Sequence, residues 1–315
     1  MSNAWKVTVF GAGGTGGAIA DLLTQKQYGE VVLIDVQKDM AEGKAMDIEQ
    51  SGALMGSDTK VVGGIDPILS KDSNVVIITA GIGRKPGLRR EDLIATNARV
   101  MKEISQSIRM LSPDAFVIVL TNPADILTRV VRHATGFPSE RVMGQGGILD
   151  SARLAHWLAK LANVSQQHVR AMVLGGHGDH MVPVRRFASI YGIPATDVLT
   201  ENAWQTAVEH TRFGGGEILA KFKTHGAAIT PAHAVLAMVE ALRSQVAHVL
   251  PVSVQSHGVY GLPKDVYIGL PAKVSELGVE QILEAPLSAD EFDRLHASAD
   301  SMEKTYQEWK SSQSA

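Results

Sequence analysis

Cysteine is missing from all 315 residues. Disulfides, thiolate metal sites and cysteine nucleophiles are thereby excluded, and redox chemistry leaves the compartment open. No run reaches the roughly 18 consecutive apolar residues of a membrane helix. The opening MSNAWKVTVFGAGG enters a strand and glycine pattern without a charged-then-apolar leader, so a cytoplasmic location is the expectation. Surplus charge is scarce too. A formal net charge of -3 offers no general attraction to nucleic acid or to an anionic membrane, and neither is expected as a partner. Internal repeats and low-complexity tracts are lacking, while 45% hydrophobic and 20% charged residues suit one large or two moderate cores.

What is present is a rhythm. Residues 7–10, 31–34, 61–62, 75–79 and 116–120 are short β-branched runs separated by helical patterns. Such apolar strands joined by crossovers predict an α/β fold with a doubly wound parallel sheet, whose ligand crevice lies at the carboxyl ends of the strands. After Asp150 the pattern changes to longer helices, 151–161 and 231–249, with short strands around 169–174, 251–254 and 266–271. That change predicts an α+β second domain, with the division expected between residues 1–148 and 149–315.

The first run leads into Gly11-Ala12-Gly13-Gly14-Thr15-Gly16 and then a helix over 17–25, a glycine motif in its strand–turn–helix setting. Backbone N–H groups at such a helix start hold a pyrophosphate. Gly11 permits the turn, Gly13 clears the phosphate's approach, and Gly16 allows close packing. The second run ends in Asp35, 19 residues after Gly16 by numbering, where a carboxylate accepts hydrogen bonds from ribose hydroxyls and repels a 2′-phosphate. NAD is therefore the expected cofactor, although Lys38 nearby leaves NADP open. Thr121-Asn122-Pro123 places polar groups and a turn at the same crevice.

Between Gly81 and Leu93 the chain reads GIGRKPGLRREDL. Arg84, Lys85, Arg89 and Arg90 thus lie on a loop whose glycines 81, 83 and 87 permit it to act as a flap over an anion. In the second half Asp150 and Arg153 share a helix face at a spacing of three. A run over 169–174 opens into Gly-Gly-His-Gly-Asp-His, with His177 at a strand end. A metal held by His177, Asp179 and His180 lacks a ligand frame, and no metal is expected.

Together these segments resemble the lactate/malate dehydrogenase family, and specifically its lactate-dehydrogenase-like malate dehydrogenase branch. The likeness runs through GAGGTGG, VVLIDV, GKAMDI, ITAGIGRKPGLRREDL, TNPADI, GFPSERVMGQGGILDSAR, VLGGHGDHMVPV, GIPATDVL and YGLPKDVYIGLP. It implies a Rossmann domain followed by a catalytic lobe, oxidation of (S)-malate to oxaloacetate by NAD in the tricarboxylic acid cycle, and a homodimer or homotetramer. By the same likeness His177 is the proton acceptor and Asp150 its partner. Histidine titrates near working pH, which suits a base for the hydroxyl proton. Arg153 matches the residue that grips the carboxylate beside the reacting carbon, where a planar fork makes two parallel bonds. Arg90 matches the arginine that polarises the substrate oxygen, and Arg84 the one that holds a second carboxylate. Asn122 is implied at the substrate, Asn97 at the cofactor, and the backbone of Leu120, Thr121 and Asn122 along the nicotinamide.

The chain also departs from the branch. Residues 223–231 read KTHGAAITP where the branch carries a Gly-Ser-Ala-Tyr-Tyr-Ala-Pro type segment, so a bulkier 2-hydroxy acid stays open. Arg89 and His180 replace smaller or uncharged residues. Lactate or another 2-hydroxy acid is the nearest alternative substrate, and a catalytically silent NAD-binding protein the remote alternative.

Overall fold

The computed structural model describes residues 5–83 and 90–313, with backbone alone at Arg90 and Glu91. Its first half places six parallel strands, β1 (Trp5–Phe10), β2 (Gly29–Ile34), β3 (Lys60–Gly64), β4 (Val75–Ile78), β5 (Phe116–Val119) and β6 (Val142–Gly144), in the order β3-β2-β1-β4-β5-β6. That order belongs to dinucleotide-binding α/β proteins, and its reversal beside β1 opens the crevice. Helices α1 (Gly14–Gln25), α2 (Lys38–Met55), α3 (Arg90–Leu111) and α4 (Ala124–Thr135) belong to the same half. All four residues of β4 are fully buried, as a strand covered on both faces requires. Truncating Ile77 to alanine there would cost about 2–5 kcal/mol.

Helix ends follow local chemistry. α4 carries Asp125 in its first turn, Arg132 and His133 in its last, and left-handed Gly136 beyond, matching the polarity of the helix dipole.

The second half adds α5 (Gly147–Ala162), β7 (Val169–Arg170), β8 (Val173–Gly175), β9 (Met181–Pro183), β10 (Ser189–Ile190), β11 (Ile193–Pro194), α6 (Ala195–Val198), α7 (Glu201–Phe222), α8 (Ile229–Leu242), β12 (His248–Gln255), β13 (Tyr267–Ser275), β14 (Gly278–Ile282) and α9 (Ala289–Ser312). Antiparallel strands continue the large sheet as β6-β12-β13-β8-β9, with β14 on β13. Both halves therefore share one sheet, joined where Ser253 pairs with Gly144.

Two expectations shift. The helix expected over 231–249 ends at Leu242. Ser244 Oγ donates to the Val246 carbonyl and accepts its N–H, a local turn that competes with helix and leads into β12. The single strand expected over 169–174 divides, because β7 pairs in a small β11-β10-β7 sheet while β8 joins the large one.

Candidate active site

Motif residues gather where the parallel strands end. Gly11 follows β1 with φ +105°, and a Cβ there would press on Thr79 and the Ala80 backbone; this is a glycine position in both conformation and space. A Cβ on Gly16 would collide with the Gly11 carbonyl, whereas one on Gly13 would meet nothing within 4 Å. Gly13 thus leaves an open cradle at the N-terminus of α1, where Gly14 and Thr15 begin the helix. The donor chemistry there fits a pyrophosphate. Asp35 sits just past β2, its Oδ2 accepting the Ala12 N–H at 2.7 Å and its Oδ1 the Gln37 N–H at 3.0 Å. Lys38, which left NADP open, pairs with Glu42 at 3.7 Å. Lys44 was not anticipated; its Nζ donates to the Gly13 carbonyl at 2.7 Å.

At the ends of β4 and β5, Thr121 Oγ1 donates to the Ala80 carbonyl at 2.7 Å. Asn97 was expected at the cofactor, yet it is fully buried. Its Oδ1 accepts the Ile82 N–H at 2.8 Å, and its Nδ2 donates to the carbonyls of Ile82 and Asn122 at 3.1 and 2.9 Å. The amide braces the base of the basic loop against the Asn122 turn, because a buried amide must satisfy its polar atoms within the protein. The Asn122 side chain itself is exposed.

The loop that carries His177 leaves β8. Gly175 has φ +81°, and a Cβ there would crowd the His180 carbonyl, so the chain can turn back and leave the His177 side chain mostly buried, 19% accessible. Its Nδ1 lies 2.8 Å from Oδ2 of Asp150, which α5 carries almost fully buried. The Asp150 carboxylate raises the His177 imidazole above its ordinary value of 6.5, burial opposes that shift, Asp125 adds to it and Arg153 subtracts. This geometry leaves Nε2 to exchange a proton with a ligand. One turn along α5, Arg153 approaches Asp150 at 3.5 Å. Its side chain lies along α7, 3.6 and 3.7 Å from where Cβ atoms on Gly214 and Gly215 would stand.

Two residues that sequence reasoning missed hold this loop. The Gly176 N–H donates to Ser298 Oγ of α9 at 2.8 Å, and the His177 N–H to Asp125 Oδ2 of α4 at 3.0 Å. Asp125 stands in the TNPADI segment, but an acidic residue in a first helical turn reads as an ordinary dipole partner. Ser298 carries no local signal.

His180 turns to Ser301 of α9 at 3.2 Å. The unusual 223–231 segment runs from left-handed Lys223 past exposed His225, whose ring lies 4.4 Å from that of Phe222, to Ala228, the residue nearest a Cβ built on Gly14 at 3.6 Å. It flanks the glycine loop. Arg84, Lys85 and Arg89 lie outside the described residues, as does the side chain of Arg90. Among the described residues no group of three histidines or acids is disposed to hold a metal, and no helix is long and apolar enough to cross a membrane.

The strand order and glycine loop define a dinucleotide-binding α/β protein whose crevice carries an imidazole–carboxylate pair. Residues 5–144 match the family model described as lactate/malate dehydrogenase, NAD binding domain, and residues 148–313 the one described as lactate/malate dehydrogenase, alpha/beta C-terminal domain. The chain belongs to the lactate/malate dehydrogenase family. A malate dehydrogenase of Chlorobium chlorochromatii (strain CaD3) is 42% identical over 300 residues, covering 95% of this chain and 96% of that protein. The malate dehydrogenase structure from Salinibacter ruber superposes with a TM-score of 0.92 at 37% identity, covering 97% of each chain. The lactate dehydrogenase from Cryptosporidium parvum, complexed with lactic acid and β-nicotinamide adenine dinucleotide, superposes with a TM-score of 0.94 at 34% identity, covering 98% of this chain and 99% of that one.

Proposed function

We propose that the protein is an NAD-dependent malate dehydrogenase that interconverts (S)-malate and oxaloacetate. The observation that carries this reading is the His177–Asp150 pair at 2.8 Å, set on a family scaffold with Arg153 one turn away. Gly11, Gly13, Gly14, Thr15, Gly16 and Asp35 would hold the adenosine and pyrophosphate of NAD, and the backbone of Leu120, Thr121 and Asn122 would line its nicotinamide. When bound, NAD supplies the hydride acceptor. During oxidation His177 takes the hydroxyl proton at Nε2 while Asp150 fixes the ring and stabilises the imidazolium. Arg153 holds the carboxylate next to the reacting carbon, and Asn122 adds a hydrogen bond to the substrate.

The choice of a dicarboxylic acid rests on the resemblance at Arg84 and Arg90. An unpaired second carboxylate, or an unpaired arginine facing a methyl group, would cost about 3–5 kcal/mol in a closed site. Arg84→Gln is expected to shift preference from oxaloacetate toward pyruvate. NADH oxidation measured with oxaloacetate, pyruvate and larger 2-oxo acids, with NADPH as control, tests the reading; strong activity on pyruvate with none on oxaloacetate would overturn it. The 223–231 segment favours including larger 2-oxo acids, since it flanks the crevice without the aromatic residues of the branch.

Self-association into a homodimer or homotetramer accompanies this reading. Apolar side chains stand exposed on α2 at Met46 and Leu54, and on α7 at Phe213, Leu219 and Phe222, the kind of surface that subunit contacts cover. Sedimentation equilibrium measures the state. Cell fractionation tests the cytoplasmic location and the tricarboxylic acid cycle role that go with the activity.

A further inference from the structure

Asp125 is 3% exposed, and its carboxylate meets the His177 amide and the buried Ser253 hydroxyl rather than water. A carboxylate so placed is costly unless its charge is used, because burial removes the water that would otherwise stabilise it. Its Oδ2 accepts the backbone N–H of the residue whose imidazole is read as the proton carrier, at 3.0 Å. The preceding N–H, that of Gly176, is held by Ser298. Two successive amides of the loop are thus fixed from two different helices, and only one of the two fixing groups can carry charge.

We propose that Asp125 is a positioning residue for the reaction, pinning the His177 backbone and setting a second carboxylate beside the imidazole, so that the imidazolium is stabilised from both α4 and α5. This rests on the reading of His177 as the proton carrier. The charged groups facing His177 are Asp150 and Arg153 from α5 and Asp125 from α4. In its own loop Asp179 and His180 follow, and α9 presents the hydroxyls of Ser298 and Ser301. Asp150 contacts the ring directly, Arg153 opposes protonation, and Asp125 restores part of what Arg153 removes. The coupling is mutual. Burial raises the Asp125 carboxyl and Asp150 raises it further, while the Ser253 hydroxyl, the His177 N–H and the His177 charge draw it back toward ionisation. Protonating His177 therefore favours the ionised form of Asp125, which in turn holds the imidazolium.

Two variants of the full-length chain separate charge from hydrogen bonding. Asp125→Asn keeps an oxygen for the His177 N–H and removes the charge, whereas Asp125→Glu keeps the charge and displaces it. For Asp125→Asn, kcat for oxaloacetate reduction should fall about tenfold, the scale of one charge-assisted hydrogen bond. The high-pH limb of reduction should move to lower pH, with oxaloacetate KM and the NADH dissociation constant close to parental. Asp125→Glu should lower kcat and leave the limb in place. Parental kcat and pH profile in Asp125→Asn, or a loss confined to KM, would overturn the proposal. Where Asp125→Asn is not recovered folded, Asp125→Glu decides, and a parental kcat overturns it. A parent chain that reduces no 2-oxo acid would instead sink the reading of His177.

Discussion

The carboxylate of Asp35 accepts the backbone N–H of Ala12 at 2.7 Å, so the residue proposed to read the ribose is tied to the loop proposed to hold the pyrophosphate. Asp35→Ser removes both the tie and the charge that repels a 2′-phosphate. The ratio of NADH to NADPH efficiency should fall at least about tenfold, or about 1.4 kcal/mol, with part of the change appearing as a higher KM for NADH. Steady-state rates with both nucleotides measure it; an unchanged ratio would show that Asp35 does not select the cofactor.

With His177 as the proposed proton carrier, its titration sets the expected pH dependence. Malate oxidation needs the neutral imidazole, and Asp150 raises the imidazole above 6.5, so oxidation should decline on the acid side from above that value. Oxaloacetate reduction needs the imidazolium and should persist to the same limit from below. Asp150→Asn should move both limbs to lower pH and reduce kcat by about 10²–10⁴. Rate profiles in both directions, recorded over one buffer series, check this.

Gly16 and Gly13 should respond differently to alanine. Gly16→Ala drives a Cβ into the Gly11 carbonyl and should lose thermal stability together with NAD binding. Gly13→Ala meets open space, so its fold should stay within about 1 kcal/mol of the parent while NAD affinity drops where phosphate approaches. Calorimetry and nucleotide fluorescence, run on both variants, separate the two effects. Equal losses of stability would contradict the assignment.

Arg129 tests the joint between α4 and α9. Its guanidinium bonds Asp265 at 2.8 Å and Glu303 at 2.6 Å and lies 3.8 Å over the Tyr306 ring. Arg129→Met should cost about 2–3 kcal/mol, below the value for a fully buried pair because both acids are partly exposed. The urea midpoint should fall with an unchanged slope. Burial opposes ionisation of Asp265, but Arg129 and His133 together hold it below its ordinary 3.8. The stability it contributes is present above that value and is lost as pH falls through the lower folded value, so the gap between variant and parent should narrow in acid.

Much of the cofactor half was legible in the sequence because β1, β2, β4 and β5 read as apolar runs, each ending at a motif, whereas edge strand β3 is half-exposed and short β6 gave no run to read. β12 was misjudged at its start, where Ser244 breaks a helix whose apolar pattern carries on past it. At the site, helical spacing put Asp150 and Arg153 on one face and glycines set His177 at a strand end, but their proposed roles came from the family resemblance alone. Asp125 and Ser298 did not. They reach the loop across 52 and 122 residues of sequence, and a side chain bonded to a distant backbone amide leaves no periodicity to read. Asn97, placed at the cofactor by the resemblance, also braces the Ile82 and Asn122 backbones, a role that no sequence pattern signalled.

The single sheet that runs from β3 to β9 also governs how the molecule comes apart. With Ser253 packed on Gly144 and Gly146 at the seam, the two halves have no swivel between them, and melting one strips the neighbour of its strand partner. Heat should therefore denature cofactor and substrate regions in one transition. A fragment ending after β6 would bare that strand's edge to solvent and tend to associate rather than stand alone.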